Sequence, residues 1–149
     1  MKLEEAIHQK KFADEFEKVD INLMYTTNWM NAEKHKVIKD YDISWQQFNI
    51  LRILRGQKGN PASLKLITER MLDKMSNTSR LVEKMSKKNL LARKICENNR
   101  RQVDITLTEH GLQVCNEVSD IISKLRIENI RITKKEAIEL NRILDKIRS

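Results

Sequence analysis

The sequence contains few residues that interrupt helices. Its 149 residues include three glycines and one proline, and their only cluster is the segment GQKGNP at residues 56–61. All-β sandwiches and barrels need many Gly- and Pro-rich turns, so the composition argues against them. The remaining sequence is rich in Glu, Lys, Leu, Ile and Met, which favours helices. Its length suits one domain, or one protomer of an obligate dimer.

The sequence also lacks the residue groupings that carry catalysis or bind metals. Two cysteines and three histidines are scattered without zinc-ligand spacing. No nucleophile–base pair, phosphate loop or paired acidic motif is recognisable. We therefore expect no metal site, no cofactor and no enzymatic activity. Cys96 and Cys115 are interpreted as bystander thiols, and a redox switch at Cys96 is the alternative.

Long apolar runs are missing as well. No stretch approaches the length of a membrane span, and the first five residues, MKLEE, lack the apolar region of a signal peptide. The expectation is a cytoplasmic protein without a membrane partner.

Positive charge is concentrated in the middle of the chain. The formal net charge is +8, and residues 52–101 hold 14 of the 29 Lys and Arg but 4 of the 21 Asp and Glu. That segment is therefore at +10, and the rest of the chain, with 15 basic and 17 acidic residues, is at −2. Such a distribution is typical of a module that binds a polyanion.

Aromatic residues are absent from this basic segment. All seven lie at or before Phe48. Single-stranded nucleic acid is usually held by stacking its bases on aromatic rings, so the basic segment is better suited to duplex DNA.

Two short helical patterns and a two-stranded pattern follow one another between residues 60 and 108. The first helix has apolar residues at helical spacing, and the second begins near Ser76. A winged helix-turn-helix has this order of elements and places its second helix in the major groove. The residues predicted to face inward are Leu64, Ile67, Met71 and Leu72 in the first helix, and Thr78, Leu81, Val82 and Met85 in the second.

The opposite face of the second helix is polar and mostly basic. Polar side chains in its first turns can reach base edges, and Asn77, Ser79 and Arg80 are predicted to do so. Cations and hydroxyls nearby can bind phosphates. The residues predicted for this role are Lys65, Lys74, Ser76 and Lys84. The alternative is an ordinary surface helix with a solvated charged face.

The segment after this helix resembles a wing. Asn89 suits a left-handed helix C-cap, and Val103, Ile105 and Leu107 alternate with polar residues as in a half-buried strand. The tip carries Arg100 and Arg101, which are predicted to enter the minor groove.

Four segments, in their order and spacing, resemble the MarR (multiple antibiotic resistance regulator) family of transcription factors. They are ISWQQFNIL at 43–51, SRLVEKM at 79–85, NRR at 99–101 and LTEHG at 107–111. The resemblance implies a homodimeric winged-helix regulator, often a repressor and frequently released from DNA by a small ligand. Two residues depart from the family pattern. Asn99 stands where the family has the Asp of Asp-x-Arg, and Asn89 stands where it prefers Gly.

Long amphipathic helices are predicted on both sides of the basic module. Residues 3–39 read as helix with a break. Capping boxes of Ser44 with Gln47 and of Thr133 with Glu136 predict two helix starts, and Thr108 is predicted to be the N-cap of another helix. The helices that start after Thr108 and after Thr133 carry apolar stripes, and the first of these stripes comprises Leu112, Cys115, Val118, Ile122 and Leu125. Such helices exceed what one small domain can cover, so we expect them to form a two-fold dimer interface, with intrachain packing alone as the alternative. The predicted fold is mainly α with a small β-hairpin. It is a single domain over 1–149, with dimerisation helices at 1–40 and 109–149 and a DNA-binding lobe at 44–108.

Several aromatic residues lie near the junction between the first long helix and the lobe. In the resembled family, effectors often sit near this junction. A cleft there would suit a small aromatic or amphipathic effector, and the alternative is that the rings are only core. The candidate ligand-binding residues are Trp29, Tyr41, Trp45 and Phe48.

The sequence thus favours a homodimeric, sequence-specific regulator that binds duplex DNA at an inverted repeat, and predicts a ligand-responsive repressor. A winged helix used as a protein-interaction or architectural module is the alternative, and it would show no preference among DNA sequences.

Overall fold

The chain folds into seven helices and a small antiparallel sheet over the residues that the structure describes. The structure is a computed structural model that describes residues 1–96 and 99–149, without the side chains of 96–102 and 127. The helices are α1 (Leu3–Ala6), α2 (Glu15–Lys39), α3 (Trp45–Arg55), α4 (Leu64–Arg70), α5 (Thr78–Lys87), α6 (Glu109–Asn129) and α7 (Lys134–Ile147). The strands are β1 (Ala62–Ser63), β2 (Leu91–Cys96) and β3 (Asn99–Leu107).

The sheet has the order β1-β3-β2, so the predicted hairpin is joined by a third strand. Ala62 lies opposite Ile105, and Leu91 lies opposite Leu107. Two residues are too short for an alternating pattern, and β1 was therefore not predicted from the sequence. Because β1 leads directly into α4, it ties the start of the helix-turn-helix to the wing.

The predicted break in the first helical region falls at residues 7–14, between α1 and α2. Helix α2 starts where the side chain of Asp14 accepts hydrogen bonds from the N–H groups of Phe16 and Glu17, both at 2.8 Å. Asp is a favourable N-cap residue because its carboxylate satisfies N–H groups that have no partner within the helix.

Helix α3 lies at the centre of the core and packs against α5, α6 and β3. It begins with the predicted capping box, in which Ser44 and Gln47 exchange side-chain and backbone hydrogen bonds. The fully buried side chains around it come from all parts of the lobe. They include Phe48, Ile50, Leu51, Ile67, Met71, Val82, Met85, Leu91, Ile105, Cys115 and Val118.

Two residues predicted to face inward are exposed. Leu72 is 70% exposed because α4 ends at Arg70, so the helical spacing no longer sets its direction. Leu112 is 40% exposed because the buried arc of α6 is centred on Val114 and Val118 and leaves Leu112 at its edge. The remaining predicted inward residues of α4 and α5 are buried or partly buried.

Helix α7 has its predicted capping box of Thr133 and Glu136, yet none of its residues is buried. Its apolar side chains remain mostly exposed, as do several on α2. Among the described residues, no helix is long and apolar enough to cross a membrane.

Candidate nucleic-acid interface

Helix α5 is held firmly at its first turn. The side chain of Asn77 accepts a hydrogen bond from the N–H of Arg80 at 3.1 Å, so Asn77 is the N-cap and the helix starts one or two residues later than predicted. Thr78, Val82 and Met85 are buried against the core. This burial fixes the rotation of α5 and thereby determines which residues face outward.

The outward face carries the side chains predicted to contact DNA. Asn77, Ser79, Arg80 and Lys84 are all exposed. Glu83 interrupts this face, and the ammonium of Lys87 lies 3.0 Å from its carboxylate and holds the pKa of Glu83 below its usual range. Within the described part of the chain, no ion pair engages Arg80 or Lys84. Their charges therefore remain available for an external anion.

The turn between α4 and α5 is organised by Asp73, which was not among the predicted site residues. Its carboxylate accepts hydrogen bonds from the N–H of Met75 at 3.0 Å and from the hydroxyl of Ser76 at 2.9 Å. These bonds, with a longer one from Gln46, hold the pKa of Asp73 below its usual value. An Asp that precedes a helix cap by a few residues commonly makes such bonds, which is the signal that was available in the sequence.

Three of the residues predicted to bind phosphates already have partners within the chain. The ammonium of Lys74 donates to the carbonyl of Glu69 at 2.6 Å, and the ammonium of Lys65 lies 3.9 Å from the carboxylate of Glu69. Ser76 is bonded to Asp73, as described above. All of these contacts are at the surface, where an ion pair contributes little. A phosphate can therefore compete for these groups.

The end of α5 is fixed to the base of the wing. Asn89 has a φ of +54°, and the N–H groups of Asn89 and Leu90 donate to the carbonyls of Ser86 and Met85, both at 3.0 Å. This is a Schellman motif, and it confirms the predicted left-handed C-cap. The hydroxyl of Thr108 then donates to the carbonyl of Asn89 at 2.7 Å.

The first turn of α6 packs closely on the same corner. Thr108 is the predicted N-cap of α6 and accepts a hydrogen bond from the N–H of Gly111 at 2.9 Å. A β-carbon at Gly111 would lie 1.8 Å from the carbonyl oxygen of Leu90. Only glycine fits here, so the helix that leaves the lobe and the start of the wing are held in a fixed arrangement.

The wing strands extend from this corner as predicted. Arg93 in β2 is exposed and lies close enough to Glu83 to contribute to lowering its pKa, which places a further cation beside the polar face of α5. Arg93 was not among the residues predicted to contact DNA. The side chains of Arg100 and Arg101 lie outside the described residues, so their insertion into the minor groove stays a prediction.

A second candidate site is a cleft of about 250 Å³ between α2, α3 and α6. Of the four predicted ligand-binding residues, Trp29 and Trp45 line it. Phe48 is buried behind Trp45, with ring centroids 5.4 Å apart, and Tyr41 is not among the lining residues. Leu72, exposed in the turn before α5, also reaches this cleft.

The cleft carries an excess of positive charge. Lys34, Arg52 and Arg126 line it, and Glu33 is the only acidic residue among the lining residues that the structure describes. The ammonium of Lys34 lies 5.0 Å from the centre of the Trp45 ring, and burial, followed by the charge of Arg52, lowers the pKa of Lys34. Glu33 pairs with Lys36 at 2.8 Å. Two aromatic rings and three cations suit an aromatic ligand that carries a negative charge.

The other chemistry-bearing side chains that the structure describes are not grouped into a site. Cys115 is fully buried, and burial raises the pKa of its thiol, which makes it an inert cysteine. Cys96 has no described side chain. No group of three or more His, Cys, Asp or Glu that could hold a metal occurs within the described residues.

Comparisons with known proteins support the resemblance seen in the sequence. The model of the MarR family matches residues 43–103. No curated protein sequence matches the chain. A structure of a MarR-like transcription regulator from Bacillus cereus matches with a TM-score of 0.75 at 24% identity, covering 88% of this chain and 94% of that one.

Two further structures have the same fold. The regulator BpsR of Bordetella bronchiseptica, whose DNA binding is regulated by 6-hydroxynicotinic acid, matches with a TM-score of 0.71 at 21% identity, covering 88% of this chain and 93% of that one. The organohalide-sensing regulator RdhR in its 2,4-dichlorophenol-bound form matches with a TM-score of 0.76 at 20% identity, covering 94% and 85%. The chain therefore has the winged-helix fold of MarR transcription regulators, and its residues 43–103 match the MarR family model.

Proposed function

We propose that this chain, whose residues 43–103 match the MarR family model, is a cytoplasmic homodimeric repressor of that family that reads duplex DNA in a sequence-specific manner. The observation that carries the proposal is the face of α5. It presents Asn77, Ser79, Arg80 and Lys84 to solvent, while the opposite face is packed into the core. A helix held in this way can enter the major groove without losing its orientation.

The residues of this surface have two roles. Arg80, Ser79 and the amide group of Asn77 contact base edges in the major groove, where each base pair presents a distinct set of donors and acceptors. The cations and hydroxyls around them bind phosphates and position the helix. The phosphate contacts come from Lys65, Lys74, Ser76, Lys84 and Arg93, and the minor-groove contacts come from Arg100 and Arg101.

The experiment that tests the proposal is selection of bound duplexes from a random pool at near-physiological salt. We expect an inverted repeat with half-sites about 10 bp apart, because that spacing places two recognition helices on one face of the DNA. Binding without enrichment of any sequence would contradict sequence reading and would favour an architectural or protein-interaction module. Absence of binding by the ligand-free protein would contradict DNA binding altogether.

The aromatic cleft supports a ligand-responsive regulator. A bound ligand would contact Leu72, in the turn before α5, as well as α2 and α6. It would therefore favour one arrangement of the recognition helix relative to the long helices, and a ligand that prefers the released arrangement weakens DNA binding. The positive charge of the cleft favours a small aromatic acid or phenol, the chemical types named with BpsR and RdhR.

Titration of DNA-bound protein with 6-hydroxynicotinic acid and 2,4-dichlorophenol tests this site. We expect at least one of these compounds, or a related aromatic acid, to release the DNA, and we expect Trp45→Ala to abolish the response while retaining operator binding. The matched control is Trp29→Ala, which leaves the ring beneath Lys34 in place and should reduce the response less. An unchanged response in Trp45→Ala would rule out the cleft.

A further inference from the structure

A groove of about 930 Å³ lies between the end of α2 and α5. The α2–α3 corner forms its floor, with Asp42, Ile43 and Ser44. The surface is distinct from the aromatic cleft and shares no residue with it.

Positive charge predominates in this groove. Its basic residues are His35, Lys39, Lys84, Lys87 and Lys88, and Asp42 is the only acidic one among its described lining residues. The two carboxylates in this region are already paired with lysines. Lys87 pairs with Glu83 at 3.0 Å, and Lys88 pairs with Asp42 at 2.8 Å. Over the described part of the chain, no ion pair engages Lys39 or Lys84. Two cations thus line the groove without a compensating carboxylate.

The groove is continuous with the face of α5 that is proposed to read DNA. Lys84 belongs to both surfaces, and it lies one helical turn after Arg80. Positive charge therefore does not end with α5 but continues across to Lys39 in the last turn of α2. A duplex bound to α5 would reach Lys39 only with the DNA that lies outside the base pairs that α5 contacts.

We infer that the α2–α5 groove binds the phosphate backbone of the duplex outside the half-site, with Lys39 as the anchoring cation. This inference rests on the proposed function. An enclosed pocket would bury most of a small anion, whereas the side chains of Lys39, Lys84 and Lys87 in this groove are all exposed. Exposed cations along an open groove suit a row of phosphates, whose contacts fix position but read no sequence.

Asp42 limits the strength of this contact. Its backbone has a φ of +50°, in the left-handed region, and both its carbonyl and its carboxylate accept hydrogen bonds from the ammonium of Lys88. The carboxylate cancels the charge of Lys88 and would repel an incoming phosphate. Asn tolerates the same backbone conformation, so Asp42→Asn removes the charge without requiring the corner to change.

The test compares Lys39→Gln with wild type on two selected duplexes, one trimmed to the operator and one extended by about one helical turn, roughly 10 bp, on each side. We expect Lys39→Gln to weaken binding of the extended duplex about fivefold per protomer near 150 mM salt and to flatten the log–log salt dependence by about 0.9 per protomer. The trimmed duplex should be bound as by wild type. Asp42→Asn should tighten binding of the extended duplex alone.

Lys36→Gln is the matched control, because Lys36 lies one turn earlier on α2, pairs with Glu33 and does not line the groove. The inference would be overturned if Lys36→Gln lost as much affinity as Lys39→Gln, or if Lys39→Gln lost the same affinity on both duplexes. Weaker binding of the extended duplex by Asp42→Asn would also overturn it. If inorganic phosphate bound in the groove while Lys39→Gln left DNA binding unchanged, the groove would be assigned to a small anion instead. If the wild-type protein selects no sequence from the random pool, the proposed function is wrong. If it selects an operator but Lys39→Gln binds the extended duplex as wild type does, only the inference about the groove is wrong.

Discussion

Arg80 and Lys84 lie on the same face of α5, one helical turn apart, and both are exposed. Their chemistry differs, because a guanidinium can make two parallel hydrogen bonds to a guanine edge whereas an ammonium acts as a point charge. We expect Arg80→Ala to cost roughly 1–3 kcal/mol of binding free energy and to relax the preference at one base position. Competition between the selected operator and singly substituted operators measures this effect.

We expect Lys84→Ala to act in the other way. The loss of one phosphate contact should weaken binding to every sequence by a similar factor and should flatten the salt dependence by about 0.9. Titrations on the operator and on an unrelated duplex at several salt concentrations measure both quantities. If both variants changed specificity, or if neither did, the division between base-reading and phosphate-binding residues would be wrong.

Gly111 gives a prediction about stability at a single residue. Gly→Ala inside a helix usually stabilises by about 1 kcal/mol. Here the added β-carbon would lie 1.8 Å from the backbone oxygen of Leu90, which cannot rotate away. We therefore expect Gly111→Ala to lower the free energy of unfolding by about 3 kcal/mol, the upper end of typical overpacking costs.

Urea denaturation measures this change, and Gly56→Ala is its control. A β-carbon at Gly56 would come no closer than 3.3 Å to another atom, so we expect a change within about 1 kcal/mol there. Equal stability of the two variants would show that α6 does not approach Leu90 as closely as described.

Residue contacts could be predicted from the sequence only where they depend on local spacing. The burial of Thr78, Val82 and Met85 follows from the helical period, and that prediction is confirmed. The bond from Lys74 to the carbonyl of Glu69 was beyond reach, because it depends on how the turn brings two segments together. The exposure of Leu72 was mispredicted for a related reason, since a periodic pattern does not reveal where a helix ends.

At the scale of elements, the turn between α4 and α5 depends on one ionised group. The pKa of Asp73 is lowered by the N–H of Met75, then by the hydroxyl of Ser76 and the amide of Gln46. A carboxyl group whose pKa is lower in the folded state contributes stability above its unfolded pKa, near 3.8 for Asp. That contribution is lost as the pH falls through the folded value.

We therefore expect Asp73→Asn to be less stable than wild type at pH 7 and to approach wild type in stability as the pH falls below 3.8 and through the folded pKa. Thermal unfolding of both proteins across this pH range measures the difference. Asp145→Asn is the control, because Asp145 pairs with Arg148 outside the lobe. A stability difference between Asp73→Asn and wild type that did not depend on pH would mean that the charge of Asp73 does not support the turn.

Helix boundaries were the best-predicted features of the elements. Ser44, Thr108 and Thr133 are all N-caps, as their sequences indicated, and Asn89 is the left-handed residue that ends α5. Such caps are local, so their signals lie within a few residues. Strand β1 was missed because its two residues are defined only by pairing with β3, about 40 positions later in the chain.

At the scale of the whole molecule, apolar side chains remain exposed at both ends of the chain. Phe16 on α2 is 85% exposed, and Ile138 and Ile147 on α7 are more than half exposed. Helix α7 buries no residue, although its apolar side chains recur at helical spacing. We expect a second copy of the chain to cover this stripe, because α7 buries none of its own residues. An interface of two-fold symmetry would cover both copies at once.

Ile143 lies near the middle of the stripe on α7 and is 41% exposed. We expect wild type to sediment at about twice the 17.6 kDa mass of one chain, and Ile143→Lys to sediment as a monomer, because the substitution places a charge inside the interface. Asn141→Lys is the control, since residue 141 points to the opposite side of the helix and should leave the dimer intact.

The monomeric variant also tests whether dimerisation through the terminal helices contributes to operator affinity. Its lobe keeps the same recognition helix, so it should bind a single half-site as wild type does, but it should lose the added affinity of two half-sites read together. A wild-type protein that sediments as a monomer at micromolar concentration would contradict the dimer. A dimer that persists in Ile143→Lys would place the interface on α2 and α6 rather than on α7. In that case the exposed stripe of α7 would need another partner, and the spacing of the two half-sites would be set by α2 and α6 alone.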